Sequence, residues 1–166
     1  MLYGVGDKVV HMRYGPGRIA RVEEQEMADG PKDYYVIEMV TNRLTVRVPV
    51  VKADEADVRP AMSPAAAPEV LEALRGRPGQ LPDDPKERQE VVEAKVRTAA
   101  VMELAWVVRD LAWRGVRGRL NRNDTGSLKQ GQELLAAELA LVSGGKVTEL
   151  TKLIAATLAE ATGARA

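Results

Sequence analysis

Apolar and polar residues alternate most clearly over residues 34–49, and this period of two predicts a β-hairpin. We place a two-residue turn at Thr41 and Asn42, because Asn tolerates a left-handed backbone. This turn puts three apolar pairs on one face. A shift by one residue would turn that set outward, so the register is strongly favoured. The pairs are Met39 with Leu44, Ile37 with Val46, and Tyr35 with Val48.

The other face of the hairpin is expected to point away from the core. Its second strand presents Thr45 and Arg47 and ends at Pro49, which cannot donate a ladder hydrogen bond and therefore suits an edge strand. We expect function to lie on this edge. The outer pairs are Glu38 with Thr45, Val36 with Arg47, and Tyr34 with Pro49.

Glycine-containing turns separate the other short strands of the first 60 residues. Strands are predicted over residues 8–12, 18–25 and 57–59, with a tight turn at 14–17 and a loop at 27–31. Four or five short strands with such turns favour a small, strongly bent β-barrel over residues 1–60.

Helix signals replace strand signals after Ser63 and Pro64. The spacing predicts five helices with short connections, and hence a helical bundle over residues 61–166 and an α+β chain. The helices are expected to begin at Ser63, at Asp84 with Pro85, at Thr98, at Asp124 or Thr125, and at Val147.

Trp106 and Trp113 are seven residues apart and therefore share one face of the third helix, opposite Leu104 and Leu111. Either this helix is buried on both sides, or the tryptophans form an exposed patch. Burial is the expectation, because an apolar stripe of this kind usually belongs to a core.

The composition argues against several classes of protein. The 24 basic and 24 acidic side chains cancel, so no net field draws the whole molecule to nucleic acid or to an anionic membrane. The single His11 has no partner for a catalytic triad, and no Cys or carboxylate spacing suggests a metal site. We therefore expect a cytoplasmic protein without an enzyme activity, cofactor, small-molecule substrate or membrane span.

A basic cluster occupies the connection between the third and fourth helices. Between residues 109 and 129, six basic side chains face only two acids, Asp110 and Asp124. Arginines in this arrangement suit contacts to DNA phosphates, although a solvated helix end would have the same composition. The candidates for DNA contact are Arg114, Arg117, Arg119, Arg122 and Lys129.

Several motifs, taken in order, resemble the CarD-like bacterial transcription regulators (the CarD/CdnL/TRCF family). The first half contains VGDKVVH, YGPGRIARVEE, KDYYVIEM and LTVRVPV, and the second contains VVRDLAWR and ELAL. The resemblance implies a Tudor-like domain whose edge strand binds the β subunit of bacterial RNA polymerase. It also implies a helical domain that contacts promoter DNA without sequence-specific readout and stabilises or modulates the open complex.

The resemblance maps a polymerase-contacting arginine onto Arg47, with Thr45 and Arg43 nearby. A second family arginine falls on Gln25, which weakens that contact. Many relatives carry a Trp wedge where this chain has Pro85. Its neighbours Lys86 and Arg88 are retained as DNA candidates.

Two functions stay open. Besides a regulator that touches DNA, the chain fits a polymerase-binding adaptor that presents its bundle to another protein. The missing Trp wedge, the zero net charge and a stretch 125–132 whose only basic residue is Lys129 favour the adaptor.

Overall fold

The computed structural model describes residues 1–98 and 100–163. Its contacts divide into two compact units, of which the first is Met1–Ala61 and the second begins at Met62. The first unit is built on an antiparallel sheet and the second is helical, which confirms the predicted α+β class.

Five strands of the first unit form one antiparallel sheet in the order β4-β3-β2-β1-β5. In this order β4 and β5 are the outermost strands. A bulge between Ile19 and Arg21 interrupts the β2–β3 ladder, and such bulges increase local twist. The strands are β1 (Lys8–His11), β2 (Gly15–Met27), β3 (Gly30–Met39), β4 (Thr45–Pro49) and β5 (Val58–Pro60).

The predicted hairpin register is confirmed from Glu38 paired with Thr45 to Tyr34 paired with Pro49. The predicted turn at residues 14–17 is wrong, since β2 already begins at Gly15. Gly17 lies inside the strand, where an added Cβ would be 2.7 Å from the backbone oxygen of Glu38. This glycine therefore serves the close approach of two strands and not a turn.

The predicted loop over residues 27–31 is also mostly strand. The β2–β3 ladder continues to the pair Met27 and Gly30, so only two residues form the turn. Gly30 takes φ +110° there, a conformation that other residues rarely adopt.

Tyr35 anchors the core of the first unit with Ile19, Ile37 and Val48. The hydroxyl group of Tyr35 donates a 2.9 Å hydrogen bond to Asp54, so its polar end is satisfied although the ring is buried. Asp54 lies in a π-helical segment, Ala53–Asp57, that follows the short helix α1 (Val50–Lys52).

The five predicted helices are present, preceded by a 3₁₀ turn at Pro64–Ala66. Two predicted caps are wrong. The hydroxyl of Thr98 instead donates to the carbonyl of Lys95, and the fourth predicted helix is capped by Asn121. The helices are α2 (Ala67–Arg75), α3 (Pro85–Thr98), α4 (Val101–Arg117), α5 (Arg122–Ser143) and α6 (Val147–Thr162).

Helix α4 is the centre of the helical unit and contacts α2, α3, α5 and α6. Its buried face includes Leu104, Val108 and Leu111. Gly131 on α5 permits close packing, because an added Cβ would lie 2.6 Å from a methyl group of Val108. Helix α4 continues past Gly115 through Arg117.

Candidate functional site

One candidate surface is the free edge of strand β4, which has no partner on its outer side among the described residues. The amide of Met39 donates to the carbonyl of Leu44, which fixes the hydrogen-bonded positions of this ladder. By alternation, the backbone groups of Thr45 and Arg47 point away from β3 toward the open edge. The two predicted contact residues therefore present backbone groups at the edge and side chains on the outer face.

The turn that precedes β4 differs from the prediction. The left-handed residue is Arg43 (φ 54°) and not Asn42, whose side chain accepts a 3.2 Å hydrogen bond from the amide of Leu44. The turn is therefore wider than two residues, and the exposed Arg43 is displaced from β4. Leu44, predicted to face the core, is 50% exposed and adds an apolar residue to the start of the edge.

Three charged side chains form a cluster on the outer face of the sheet. Glu23 on β2 accepts hydrogen bonds from Arg21 at 2.6 Å and from Arg47 at 3.1 Å. These two bonds, led by that of Arg21, hold the pKa of Glu23 below its usual value. Between the arginines lies Val36, whose pairing with both of them accounts for its complete burial on this outer face.

Gln25 is not brought together with Arg47 by the sheet. It pairs with Lys32, beyond the point where the β3–β4 ladder ends at Tyr34 and Pro49. The outer-face residue that does reach Arg47 is Glu23, which sequence reasoning missed. Its outward alternation on β2 was visible, but its diagonal position relative to Arg47 depends on two strand registers and the intervening bulge.

The second candidate surface is a groove in the helical unit with a volume of about 850 Å³. Asp110 fixes one wall, because it accepts hydrogen bonds from the backbone amide of Gly79 at 2.8 Å and from Arg109 at 2.9 Å. We call this the arginine groove. It is lined by residues 77–81, Asp83, Asp110, Trp113, Arg114 and residues 117–119.

The arginine groove gathers three of the predicted DNA contacts, Arg114, Arg117 and Arg119, and adds Arg77. Sequence reasoning missed Arg77, because only the fold brings its loop against the end of α4. The remaining candidates do not line the groove. Lys86 is exposed on α3, and Arg122 and Lys129 are exposed on α5.

Arg88, one of the predicted DNA contacts, is buried in an ion pair within the helical unit. Its guanidinium forms two hydrogen bonds with the carboxylate of Asp124, at 2.9 and 3.0 Å, and donates to the carbonyls of Pro82 and Asp83. Both charged side chains are only 4% exposed. This ion pair joins α3 to the start of α5 and is structural.

Asp124 also corrects the predicted helix start. It is the third helical residue and completes a capping box, in which its carboxylate accepts from the amide of Asn121 while the Asn121 side chain accepts from the amide of Asp124. Burial alone would raise the pKa of Asp124. The hydrogen bonds from Arg88 and Asn121 outweigh burial, so its pKa lies below the usual value.

The two tryptophans have different environments, so the expectation that both are core residues is wrong for Trp106, which is 36% exposed. Trp113 is partly buried, and the guanidinium of Arg117 lies 5.0 Å from its ring centroid. The indole nitrogen of Trp113 and Nε of Arg114 are both buried without a hydrogen-bond partner within the described part of the chain.

His11 is a structural residue. Its Nδ1 accepts hydrogen bonds from the amides of Arg13 and Tyr14, which shapes the turn between β1 and β2. Burial lowers its pKa, opposed by Asp57 and assisted by Arg13. Across residues 1–98 and 100–163, no group of acidic or histidine side chains is arranged to hold a metal ion. No helix in these ranges is both long and apolar enough to cross a membrane.

Comparison with known families matches both units in order. Residues 3–62 match the CarD-like/TRCF RID domain, and residues 69–155 match the CarD C-terminal domain. The chain belongs to the CarD-like family of transcription regulators. This is not a family of known enzymes.

A curated relative supports the assignment. The chain is 28% identical over 143 residues to a Bacillus subtilis (strain 168) protein named "Putative transcription factor YdeB". The match covers 86% of this chain and 94% of the relative, so both units of this CarD-like protein are included.

Proposed function

We propose that this CarD-like protein is a non-catalytic regulator that binds the β subunit of RNA polymerase through strand β4. Its helical unit would contact promoter DNA without reading its sequence and thereby change the stability of the open complex. It would act in the cytoplasm, at the nucleoid. The open edge of β4 carries this proposal.

Strand addition explains why the edge suits a protein partner. A strand laid along β4 would satisfy the outward backbone groups of Thr45 and Arg47, while alternate side chains would give specificity. The exposed Leu44 supplies an apolar contact at one end. Arg47 supplies a charge, and its side chain remains 48% exposed although it is bonded to Glu23.

The helical unit offers cations for phosphate contacts. Arg77, Arg117 and Arg119 are exposed around the arginine groove, and Arg122 and Lys129 lie exposed on α5. Such contacts add affinity independent of sequence and weaken as salt rises. A modest gain is sufficient, since about 1.4 kcal/mol changes an open-complex equilibrium tenfold.

The burial of Arg88 favours a second candidate, an adaptor that binds polymerase without touching DNA. Of the two candidate cations near Pro85, Arg88 is paired with Asp124, and the exposed Lys86 lies next to the position where many relatives carry the Trp wedge.

A pull-down of the polymerase β subunit tests the proposal. The Arg47→Glu variant is expected to lose binding, because it replaces the positive charge of the proposed contact by a negative one. The new carboxylate would also lie beside that of Glu23. Lys152→Glu, which makes the same change of charge at an exposed position on α6, is the matched control and is expected to bind like the wild type. Equal binding by all three proteins would contradict the role of the β4 edge.

Repeating the measurement with promoter DNA separates regulator from adaptor. For a regulator, DNA raises the amount of polymerase retained, and this gain falls steeply with salt. Reversal of charge at both Arg122 and Lys129 removes the gain. For an adaptor, retention is the same with and without DNA at every salt concentration.

A further inference from the structure

The arginine groove contains more cation than the protein itself neutralises. Among the residues that the structure describes, two carboxylates lie in it, whereas five guanidinium groups lie in it or bond to its wall, those of Arg77, Arg109, Arg114, Arg117 and Arg119. Asp110 is already bonded to Arg109 and to a backbone amide. Asp83 is 96% exposed and reaches Arg114 only at 3.7 Å.

Hydrogen-bond donors are in excess as well. Within the described residues, Arg77 and Arg119 have no ion pair or hydrogen bond. The indole nitrogen of Trp113 and Nε of Arg114 are buried without an acceptor in the described part of the chain. Buried donors normally find a partner, and an unpaired one costs free energy. The exposed guanidinium groups of Arg77 and Arg119 are accessible to a ligand, and an oxyanion supplies the acceptors that they lack.

The volume of the groove and the indole ring of Trp113 indicate which class of ligand fits. A volume of about 850 Å³ is far more than one phosphate group needs and lies in the range of sites for small organic ligands. Arginines bind phosphate oxygens in pairs of parallel hydrogen bonds. Trp113 adds an aromatic ring beside them, and bases pack well on such rings.

We infer that the arginine groove binds a nucleotide, with its phosphates on the arginines and its base against Trp113. The nucleotide is either free or an unpaired unit of a DNA strand, since both offer the same chemistry. The second source rests on the proposed contact with promoter DNA, which it deepens by naming an unpaired nucleotide as the element that is held.

Tryptophan fluorescence gives a direct test, because the chain has two tryptophans and only Trp113 lines the groove. In Trp106→Phe protein, Trp113 is the sole emitter. Thymidine triphosphate and a short oligodeoxythymidylate are titrated into it separately, with inorganic phosphate and a blunt duplex as comparisons. A saturable change in emission is expected with the triphosphate, the oligonucleotide or both, and not with phosphate alone. Trp113→Phe protein, which retains Trp106, is expected to stay silent.

Two single arginine variants control for non-specific electrostatic attraction of the nucleotide probes. Arg119→Gln removes an exposed groove cation without breaking an ion pair or hydrogen bond of the described residues and is expected to weaken binding about tenfold. Arg97→Gln makes the same change of charge on exposed α3, outside the groove, and is expected to bind like the parent. Equal weakening in both variants, or no saturable response to either nucleotide probe, overturns the site.

The probes also separate the two sources and the two proposals. A response to the triphosphate alone assigns a free nucleotide, and a response to the oligonucleotide alone assigns a strand. The inference fails and the proposed function stands if the emission of Trp113 does not change while the gain in polymerase retention with promoter DNA still depends on Arg122 and Lys129. If the emission of Trp113 changes with a nucleotide probe but the protein does not bind polymerase, the nucleotide site stands and the proposed function fails.

Discussion

Arg47 on β4 donates a 3.1 Å hydrogen bond to Glu23 on β2, across the intervening strand β3. The residue expected to contact polymerase is therefore already held by an internal carboxylate. Arg21 shares that carboxylate at 2.6 Å, so the outer face presents an arginine–glutamate–arginine cluster. An acidic group on a partner would have to compete with Glu23 for Arg47.

The pKa of Glu23 reports whether this cluster exists in solution. Both arginines lower it, and Arg21 does so more strongly. We expect Arg21→Gln to raise the pKa of Glu23 toward its ordinary value by more than Arg47→Gln does. Titration of the Glu23 carboxyl carbon by NMR measures this, with Arg18→Gln as a control that leaves it unchanged. An unchanged pKa in Arg47→Gln would show that Arg47 is free of Glu23.

The buried pair of Arg88 and Asp124 is expected to dominate the stability of the helical unit. Arg88→Gln leaves the carboxylate of Asp124 without its cation, which costs about 3 kcal/mol in free energy of unfolding. Lys86→Gln changes an exposed neighbour on the same helix and should stay within about 0.5 kcal/mol. Urea denaturation followed by circular dichroism measures both.

The pairing of Arg88 with Asp124 also predicts a result for DNA binding. Because the guanidinium of Arg88 is buried in this ion pair, the Arg88→Gln protein should bind duplex DNA with the affinity of the wild type under conditions in which it is fully folded. A loss of affinity as large as that caused by changing Arg122 would restore Arg88 as a contact.

Two glycines of α5 form a matched pair for packing. Gly131→Ala places a Cβ 2.6 Å from Val108 and is expected to destabilise by about 1–3 kcal/mol. Gly126→Ala meets nothing within 4 Å and should stabilise by about 0.5–1 kcal/mol, because alanine favours the helix. Thermal unfolding of both variants tests this, and melting temperatures shifted in the same direction would contradict the packing of α4 on α5.

His11 gives the protein a pH-dependent stability. Its pKa is lowered in the folded state, so between its folded pKa and 6.5, its ordinary value, the unfolded chain binds more protons. The free energy of unfolding is therefore expected to decrease as pH falls through this window, when protonation of Nδ1 also removes the acceptor of two backbone amides. Denaturation at pH values on both sides of 6.5 measures the slope.

His11→Gln provides the comparison, because His11 is the only histidine in the chain. The variant is expected to be less stable than the wild type above this window but to lose the slope inside it. A wild-type stability that is flat or rises on acidification would contradict a neutral, buried imidazole.

Sequence patterns predicted a structural element correctly where interactions between residues close in the chain determine it. The period of two over residues 34–49 determined the register of Val36 with Arg47, because a slip would have exposed the apolar face. It misplaced Leu44 and the left-handed residue of the turn, because turn width depends on which side chain captures a backbone amide. Here that side chain is Asn42.

Helix starts were predicted less well than helices. Pro85 and Val147 were placed correctly, whereas Asn121 was passed over in favour of Asp124 and Thr125. Asp124 has two functions, since it completes the capping box and neutralises Arg88 on another helix. No local pattern distinguishes the second function from the first.

The sequence by itself determined the order of a β unit and a helical unit, the apolar faces and the register of the edge strand, since all of these follow from short-range periodicity. Only the tertiary structure decided which charges are free. Arg88 is bonded to a residue 36 positions away and Arg47 to one 24 positions away, whereas Arg77 and Arg119 line one groove without an ion pair or hydrogen bond to any described residue. Charge pairing depends on distance in space, and a period along the chain carries no information about it.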